Sequence, residues 1–402
     1  MFQFFNEYKG LPREVYVLFI ANVINRFGDF VSPLLALYLT QKLSMSVTES
    51  SIVVTLALVS RMPGSLMGGK LADHYGRRKI YLIMQTIAGL TLFPCAFIST
   101  PHVIIILLIT STFFNGAVRP ALDALAIDLM PVEKRKLGLS LMYLGINIGV
   151  AVGPALAGLL FKINLPLFFM IDVLTSLIAV MLVFTFISEH YIKTMISSHV
   201  DPETLWVKSN ATTASILKSN KRLATFILIT SAFSLIYVQV KFSLPLLFAY
   251  AFNDNGSALL GTIFSINAFT VILSTSFITL KTKNNATSVN IILGGIFYAV
   301  GFGLYAIISG YLFYVLATIT WTFGEILMAT NIKTYIADHT PTDFRGRINA
   351  LYLILKEGMN ALGVLLSGWL IPIIGPIQIW WFVLGASLFL SLLIFLDNRK
   401  EL

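Results

Sequence analysis

Residues Leu165–Ile187 read LPLFFMIDVLTSLIAVMLVFTFI, an unbroken apolar run whose single charged side chain is Asp172. A helix of about 20 mostly apolar residues crosses roughly 30 Å of hydrocarbon, so this run is long enough to span a membrane. Runs of the same kind recur along the 402 residues. Spans are expected at Val15–Thr40, Glu49–Gly69, Ile80–Ile98, His102–Leu129, Leu139–Phe161, Leu165–Ile187, Leu223–Tyr250, Ser257–Leu280, Val289–Ser309, Tyr311–Ala337, Asn349–Ile371 and Pro376–Leu396. Composition points the same way: 57% of residues are hydrophobic and 12% charged, about half the charged share of a soluble domain. Disorder, which needs low hydrophobicity, is excluded too. The sequence predicts an all-α membrane protein with twelve transmembrane helices. No cleavable signal peptide is expected, because the first apolar run is too long and carries charges.

The basic residues divide unevenly among the loops. Twenty lie on one side of the spans, among them Lys70, Lys79, Arg135 and Arg345, against Lys42 and Lys162 on the other. Positive loops stay in the cytoplasm, which places both termini there and predicts a multi-pass protein of the plasma membrane, in contact with lipid. The net charge of +9 is spread over separate segments, not gathered into the single basic face that nucleic acid requires. No nucleic-acid partner is expected. Asn210 and Asn285 open Asn-x-Thr triplets on the cytoplasmic side, so neither should be glycosylated. The one cysteine, Cys95, permits no internal disulfide, and the five histidines show no metal spacing.

The chain also repeats itself. Asp128-Leu-Met-Pro131-Val-Glu133-Lys-Arg135 follows the fourth span, and Asp338-His-Thr-Pro341-Thr-Asp343-Phe-Arg345 follows the tenth. A shift of 210 residues aligns them and carries Gly153 to Gly363 and Gly158 to Gly368. This implies two six-helix bundles, 1–187 and 223–402, related by a pseudo-two-fold axis along the membrane normal, with a cytoplasmic linker at 188–222. Secondary transporters are commonly built this way, with the substrate site between the halves near midplane.

Charges inside spans are costly and usually face a wet cavity or a partner. Eleven are embedded: Arg26, Asp29, Arg61, Arg119, Asp123, Asp172, Lys241, Glu325, Lys333, Lys356 and Glu357. Seven of them fall on spans 1, 4, 7 and 10, which predicts a central polar cavity lined by those four. Asn22, Asn25, Arg26 and Asp29 share one helical face, as do Asn115, Arg119 and Asp123. The shift of 210 maps Asn115 onto Glu325 and Asp123 onto Lys333. Arg26 with Asp29, and Asp123 with Lys333, either serve the cavity or simply neutralise one another and fasten helices. Glu325 has no opposite charge one turn away and is the first candidate to load and release a proton. Asp172, on a span expected at the periphery, is assigned a structural role.

Between spans 2 and 3 the chain reads Gly69-Lys-Leu-Ala-Asp73-His-Tyr-Gly76-Arg77-Arg78-Lys79. This resembles the signature loop of the major facilitator superfamily, with His74 in place of the usual first basic residue. The resemblance implies gating roles for Gly69, Asp73, Gly76, Arg77 and Arg78, with the aspartate capping a helix of the opposite half and pairing with arginine. Span 5 carries Gly149, Gly153, Pro154 and Gly158, similar to the antiporter motif of that superfamily's drug–proton exchangers. Helix packing is the alternative use of such a pattern. Asn22-x-x-Asn25-Arg26-Phe27 is similar to the Glu-x-x-Glu-Arg-Phe signature of proton-coupled peptide transporters, with both glutamates replaced.

The resemblance implies a non-enzymatic, monomeric, proton-coupled secondary transporter that exports small drug-like molecules in exchange for protons. It needs no cofactor or metal, since the proton gradient supplies the energy. Glu325, Asp123 and Asp29 are the candidates for proton coupling. Asn22, Asn25, Arg26, Asn115, Arg119, Lys241 and Lys333 are the candidates for lining the substrate cavity. The alternative is proton-coupled transport of a polar, peptide-like or anionic solute held by Arg26, Arg119 and Lys241.

Overall fold

The computed structural model describes residues 10–189, 220–341 and 344–398, with Tyr8, Tyr191, Leu217 and Lys218. Most of the linker expected at 188–222, Asn210 included, lies outside the described residues, as does the repeat residue Asp343. Every regular element described is helical: α1 (Arg13–Phe27), α2 (Val31–Leu37), α3 (Val47–Tyr75), α4 (Arg77–Leu90), α5 (Pro101–Asp128), α6 (Arg135–Ile163) and α7 (Leu165–Phe186). There follow α8 (Lys221–Tyr237), α9 (Ser243–Phe252), α10 (Gly256–Thr282), α11 (Thr287–Ile307), α12 (Tyr311–Asp338), α13 (Arg345–Ile374) and α14 (Ile379–Asn398). Helix is the open-chain structure that satisfies every backbone group in lipid. Eleven helical stretches among the described residues are long and apolar enough to cross a membrane. The number differs from the expected twelve because α8, α9 and α10 run on as one stretch of 62 residues, Lys221–Thr282.

Two expected spans are broken, each shortly before a proline. Val15–Thr40 divides between Phe27 and Val31, and Leu223–Tyr250 divides between Tyr237 and Ser243. Pro33 and Pro245 are each the third residue of the new helix. A proline cannot donate to the carbonyl four residues back and clashes with it. Those carbonyls belong to Asp29 and Lys241, so a charged residue sits at each break.

The chain forms two compact units, Met1–Leu34 with Leu56–Trp206, and Leu35–Thr55 with Val207–Leu402. The segment Leu35–Thr55 thus groups with the second unit. In the first unit α1 packs on α6 and α7, and α4 on α5 and α7. In the second, α8 packs on α13 and α14, and α11 on α12 and α14. These pairings are repeat-related, and so are the glycines that permit them. A Cβ on Gly153 would lie 2.1 Å from the Phe27 carbonyl oxygen, and one on Gly363 would lie 2.9 Å from that of Leu235. Only glycine lets α6 approach α1, and α13 approach α8, so closely.

Candidate substrate and proton sites

In the first unit the polar face of α1 is already engaged. Asn22 is buried and donates through Nδ2 to the Met142 carbonyl at 3.2 Å. Asn25 donates to Ser176 Oγ at 3.2 Å. Both therefore fasten α1 to its neighbours α6 and α7. Arg26 Nη1 pairs with Asp29 Oδ2 at 3.2 Å, and the charges of Arg119 and Arg61 reach Arg26. Asp172, 7% exposed, accepts hydrogen bonds from the backbone N–H groups of Phe30 at 3.1 Å and Val31 at 3.2 Å. On α5, Arg119 Nε pairs with Asp123 Oδ2 at 3.0 Å, one turn apart, with both side chains about half exposed. Asn115 reaches Ser111 at 3.4 Å. Asp123 thus has its ion pair within its own helix. Lys333, on α12, is exposed and makes no ion pair among the described residues.

In the second unit Glu325 projects from α12 and its two oxygens have separate donors. Tyr237 Oη, at the end of α8, donates to Oε1 at 2.6 Å. Asn267 Nδ2, on α10, donates to Oε2 at 2.8 Å and also lies 3.0 Å from Thr322 Oγ1. The charges of Lys356 and Lys241 reach the carboxyl, which is part-buried. Tyr237 and Asn267 stand 88 and 58 residues away in sequence. Neither stands out in the sequence as a site residue: tyrosine is too apolar to mark a span, and a single amide does not interrupt an apolar run or reveal its partner. Asn267 does carry one trace, being a lone amide in the middle of the run Ser257–Leu280.

The loop motif is built as tightly as its glycines suggest. Gly76 is the single residue between α3 and α4 and adopts φ of 97° with nothing near its missing Cβ. Backbone conformation, not space, therefore demands glycine there. Asp73 lies within the last turn of α3, exposed. Arg77 pairs with Asp128, the repeat-marked residue at the end of α5. Arg78 donates to the Phe184 carbonyl at 2.7 Å and stacks over the Phe184 ring. Gly69 lies on the same helix as Asp73, 3.9 Å from Pro120 by its would-be Cβ.

On α6, Gly149 faces Arg26 and Val23, and Gly153 faces Phe27, all at distances a Cβ would violate. Pro154 and Gly158 are buried beside them. This stretch therefore brings α6 against the charged turn of α1. No cluster of three or more His, Cys, Asp or Glu side chains suited to a metal ion occurs among the described residues.

A helical membrane carrier, with polar residues embedded in each of two repeat-related units, is the class these features define. Residues 18–363 match the Major Facilitator Superfamily, and the chain belongs to that family of transporters. The uncharacterized MFS-type transporter YttB of Bacillus subtilis (strain 168) is 24% identical over 365 residues, covering 90% of this chain and 89% of its own. A second B. subtilis protein, the uncharacterized MFS-type transporter YqjV, is 25% identical over 95% of this chain and 93% of its own. Among solved structures, a POT family transporter in complex with 5-aminolevulinic acid superposes with a TM-score of 0.77 at 15% identity, covering 98% of this chain and 97% of its own. The nucleoside transporter NupG also gives 0.77, at 16% identity, covering 96% of this chain and all of its own. At such identities the likeness is one of fold. Family and fold are those of a carrier, not an enzyme.

Proposed function

We propose that the protein is a proton-coupled secondary transporter of the plasma membrane that exports small drug-like molecules in exchange for protons, with Glu325 as the coupling carboxyl. On this reading the 62-residue stretch Lys221–Thr282 holds two crossings, since a straight helix of that length would measure about 93 Å, three times the hydrocarbon thickness. That makes twelve crossings, an even number that returns both termini to one side, which the basic loops assign to the cytoplasm; the reading takes the transporter to act as a monomer.

The observation that carries the reading is the setting of Glu325. Its oxygens are held by a phenol and an amide. Its two hydrogen-bond donors are neutral groups that can rebond when a proton is taken up, whereas protonating Asp29 or Asp123 removes a carboxylate directly ion-paired to Arg26 or Arg119. Substrate arriving at Glu325 would compete with Tyr237 and Asn267 for the carboxyl and displace its proton. A ligand can only shift such an equilibrium by its differential affinity for the two states. The coupling is therefore strongest for a solute that prefers the ionised carboxyl, as a cationic drug does.

The excess of cations supports a second reading, transport of a polar or anionic solute. Arg61, Lys333 and Lys356 make no ion pair among the described residues. Transport by purified protein in liposomes under an imposed pH gradient separates the two. Ethidium-driven proton flux that disappears in Glu325→Gln supports exchange. Dipeptide uptake lost in Arg26→Ala, with ethidium inert, replaces it by the second reading.

A further inference from the structure

We propose that the break at Gly28–Phe30 is a hinge of the transport cycle and that Asp172 is the positioning residue that sets its angle. α1 and α2 are each continuous helix, so a change in how the second part of this span is held is accommodated most readily at residues 28–30, which belong to neither. A broken span concentrates that change in a few φ and ψ angles, as hinges do.

Two contacts define the break from opposite sides. Asp172, buried on α7, accepts the N–H groups of Phe30 and Val31 through the same oxygen, Oδ2. Val31 opens α2, and its N–H has no partner within the helix; the Phe30 N–H just before it is shared with the Gly28 carbonyl at 2.7 Å, so the carboxylate caps α2 from another span. A carboxylate is also favoured at a helix N-terminus by the local dipole. One turn further on, Thr175 presses on Gly28, where a Cβ would lie 1.7 Å from Thr175 Oγ1 and 2.5 Å from Thr175 Cβ. That hydroxyl is committed to the carbonyls of Ile171 and Asp172 at 2.9 and 3.0 Å, which holds the side chain in place. The Arg26–Asp29 ion pair straddles the same bend. The end of α1 and the start of α2 are thus both seated on α7.

Asp172 is more than a buried polar residue with its bonds satisfied. It bonds only to the far side of the break, while its neighbour Thr175 meets the near side. A role confined to stability would leave the bend unchanged when Asp172 is replaced; a positioning role would not.

Spin labels at Ile20→Cys on α1 and Gln41→Cys beyond α2, both exposed positions, read the bend directly. A straight helix would separate them by about 31 Å. The protein is reconstituted in lipid nanodiscs, and Cys95 is buried away from the label. Each lost hydrogen bond to a charged group shifts an equilibrium roughly tenfold or more. Asp172→Ala should therefore raise the population at displaced distances at least tenfold. Asp172→Asn, which keeps an oxygen acceptor, should stay within about threefold of the parent. Should Asp172→Ala fail to fold, Asp172→Leu decides: it fills about the same volume, offers no acceptor to Phe30 and Val31, and must give the same displacement. Distance distributions that superpose on the parent's in the folded variants, even with a lowered melting temperature, overturn the proposal.

Discussion

The breaks in α1–α2 and α8–α9 stand at repeat-related places and share a proline at the same helical position, yet different chemistry holds them. The first is seated on a carboxylate, Asp172, beside an ion pair, Arg26–Asp29. The second is tied by neutral groups. Gln239 donates to the carbonyls of Leu235 at 2.9 Å and Gly363 at 3.1 Å, and its oxygen accepts from Ser243 at 2.5 Å and Ser367 at 2.8 Å. The first unit thus commits its carboxylates to structure and to arginines. The second ties its break through neutral side chains, with Lys241 as the charge beside it, and one of its two embedded carboxyls, Glu325, accepts from a phenol and an amide. Duplication supplied one framework; the two halves divided the work, with fixed charge in one and an exchangeable proton proposed for the other.

That contrast can be broken most severely at Glu325. Glu325→Gln keeps one oxygen to accept from Tyr237 and presents an NH2 to which Asn267 can turn its own oxygen; it removes the ionisable group, so proton-driven transport should be abolished while insertion and melting temperature stay near the parent's. Transport surviving in this variant moves the coupling to the first unit. Next in size is Tyr237→Phe, which takes away one donor to the carboxyl; turnover should fall about tenfold with fold intact, measured as initial efflux rate per folded protein. Gln239→Leu tests the neutral tie. It leaves the Ser243 and Ser367 hydroxyls and the Gly363 carbonyl without their partner, and should destabilise by about 2–3 kcal/mol in thermal or denaturant melts.

Smaller effects are expected where arginine balances the carboxylate. Asp29→Asn weakens a part-buried ion pair and should lower stability by about 1–2 kcal/mol without removing the proton dependence. Asp123→Asn touches a pair half exposed on both sides and should change stability by less than about 1 kcal/mol. Loss of proton coupling in either variant would erase the division between the units.

Much of this architecture is readable in the sequence for simple reasons. Hydropathy finds spans because lipid tolerates little else, and the Asp128–Arg135 and Asp338–Arg345 segments expose the repeat. Pro33 and Pro245 mark both breaks, but a hydropathy window reads straight through them, since proline interrupts the hydrogen-bond ladder without adding charge. Charge alone also cannot say which embedded groups face one another. Arg119 and Asp123 pair along one helix, a spacing visible in the sequence, whereas Tyr237, Asn267 and Glu325 meet through three separate helices. Asn22 and Asn25, polar on the same face as Arg26, serve to bind α1 to α6 and α7. The Gly149–Gly153 stretch shows why one pattern admits two readings: close packing against α1 is also what seats Arg26 and Phe27.

The division of labour between the two units is tested most directly by proton release from the purified protein in weakly buffered solution when ethidium is added. The parent should release protons, and the release should be lost in Glu325→Gln and retained in Asp29→Asn and Asp123→Asn. Release of the same size from Glu325→Gln would contradict a coupling role for that carboxyl.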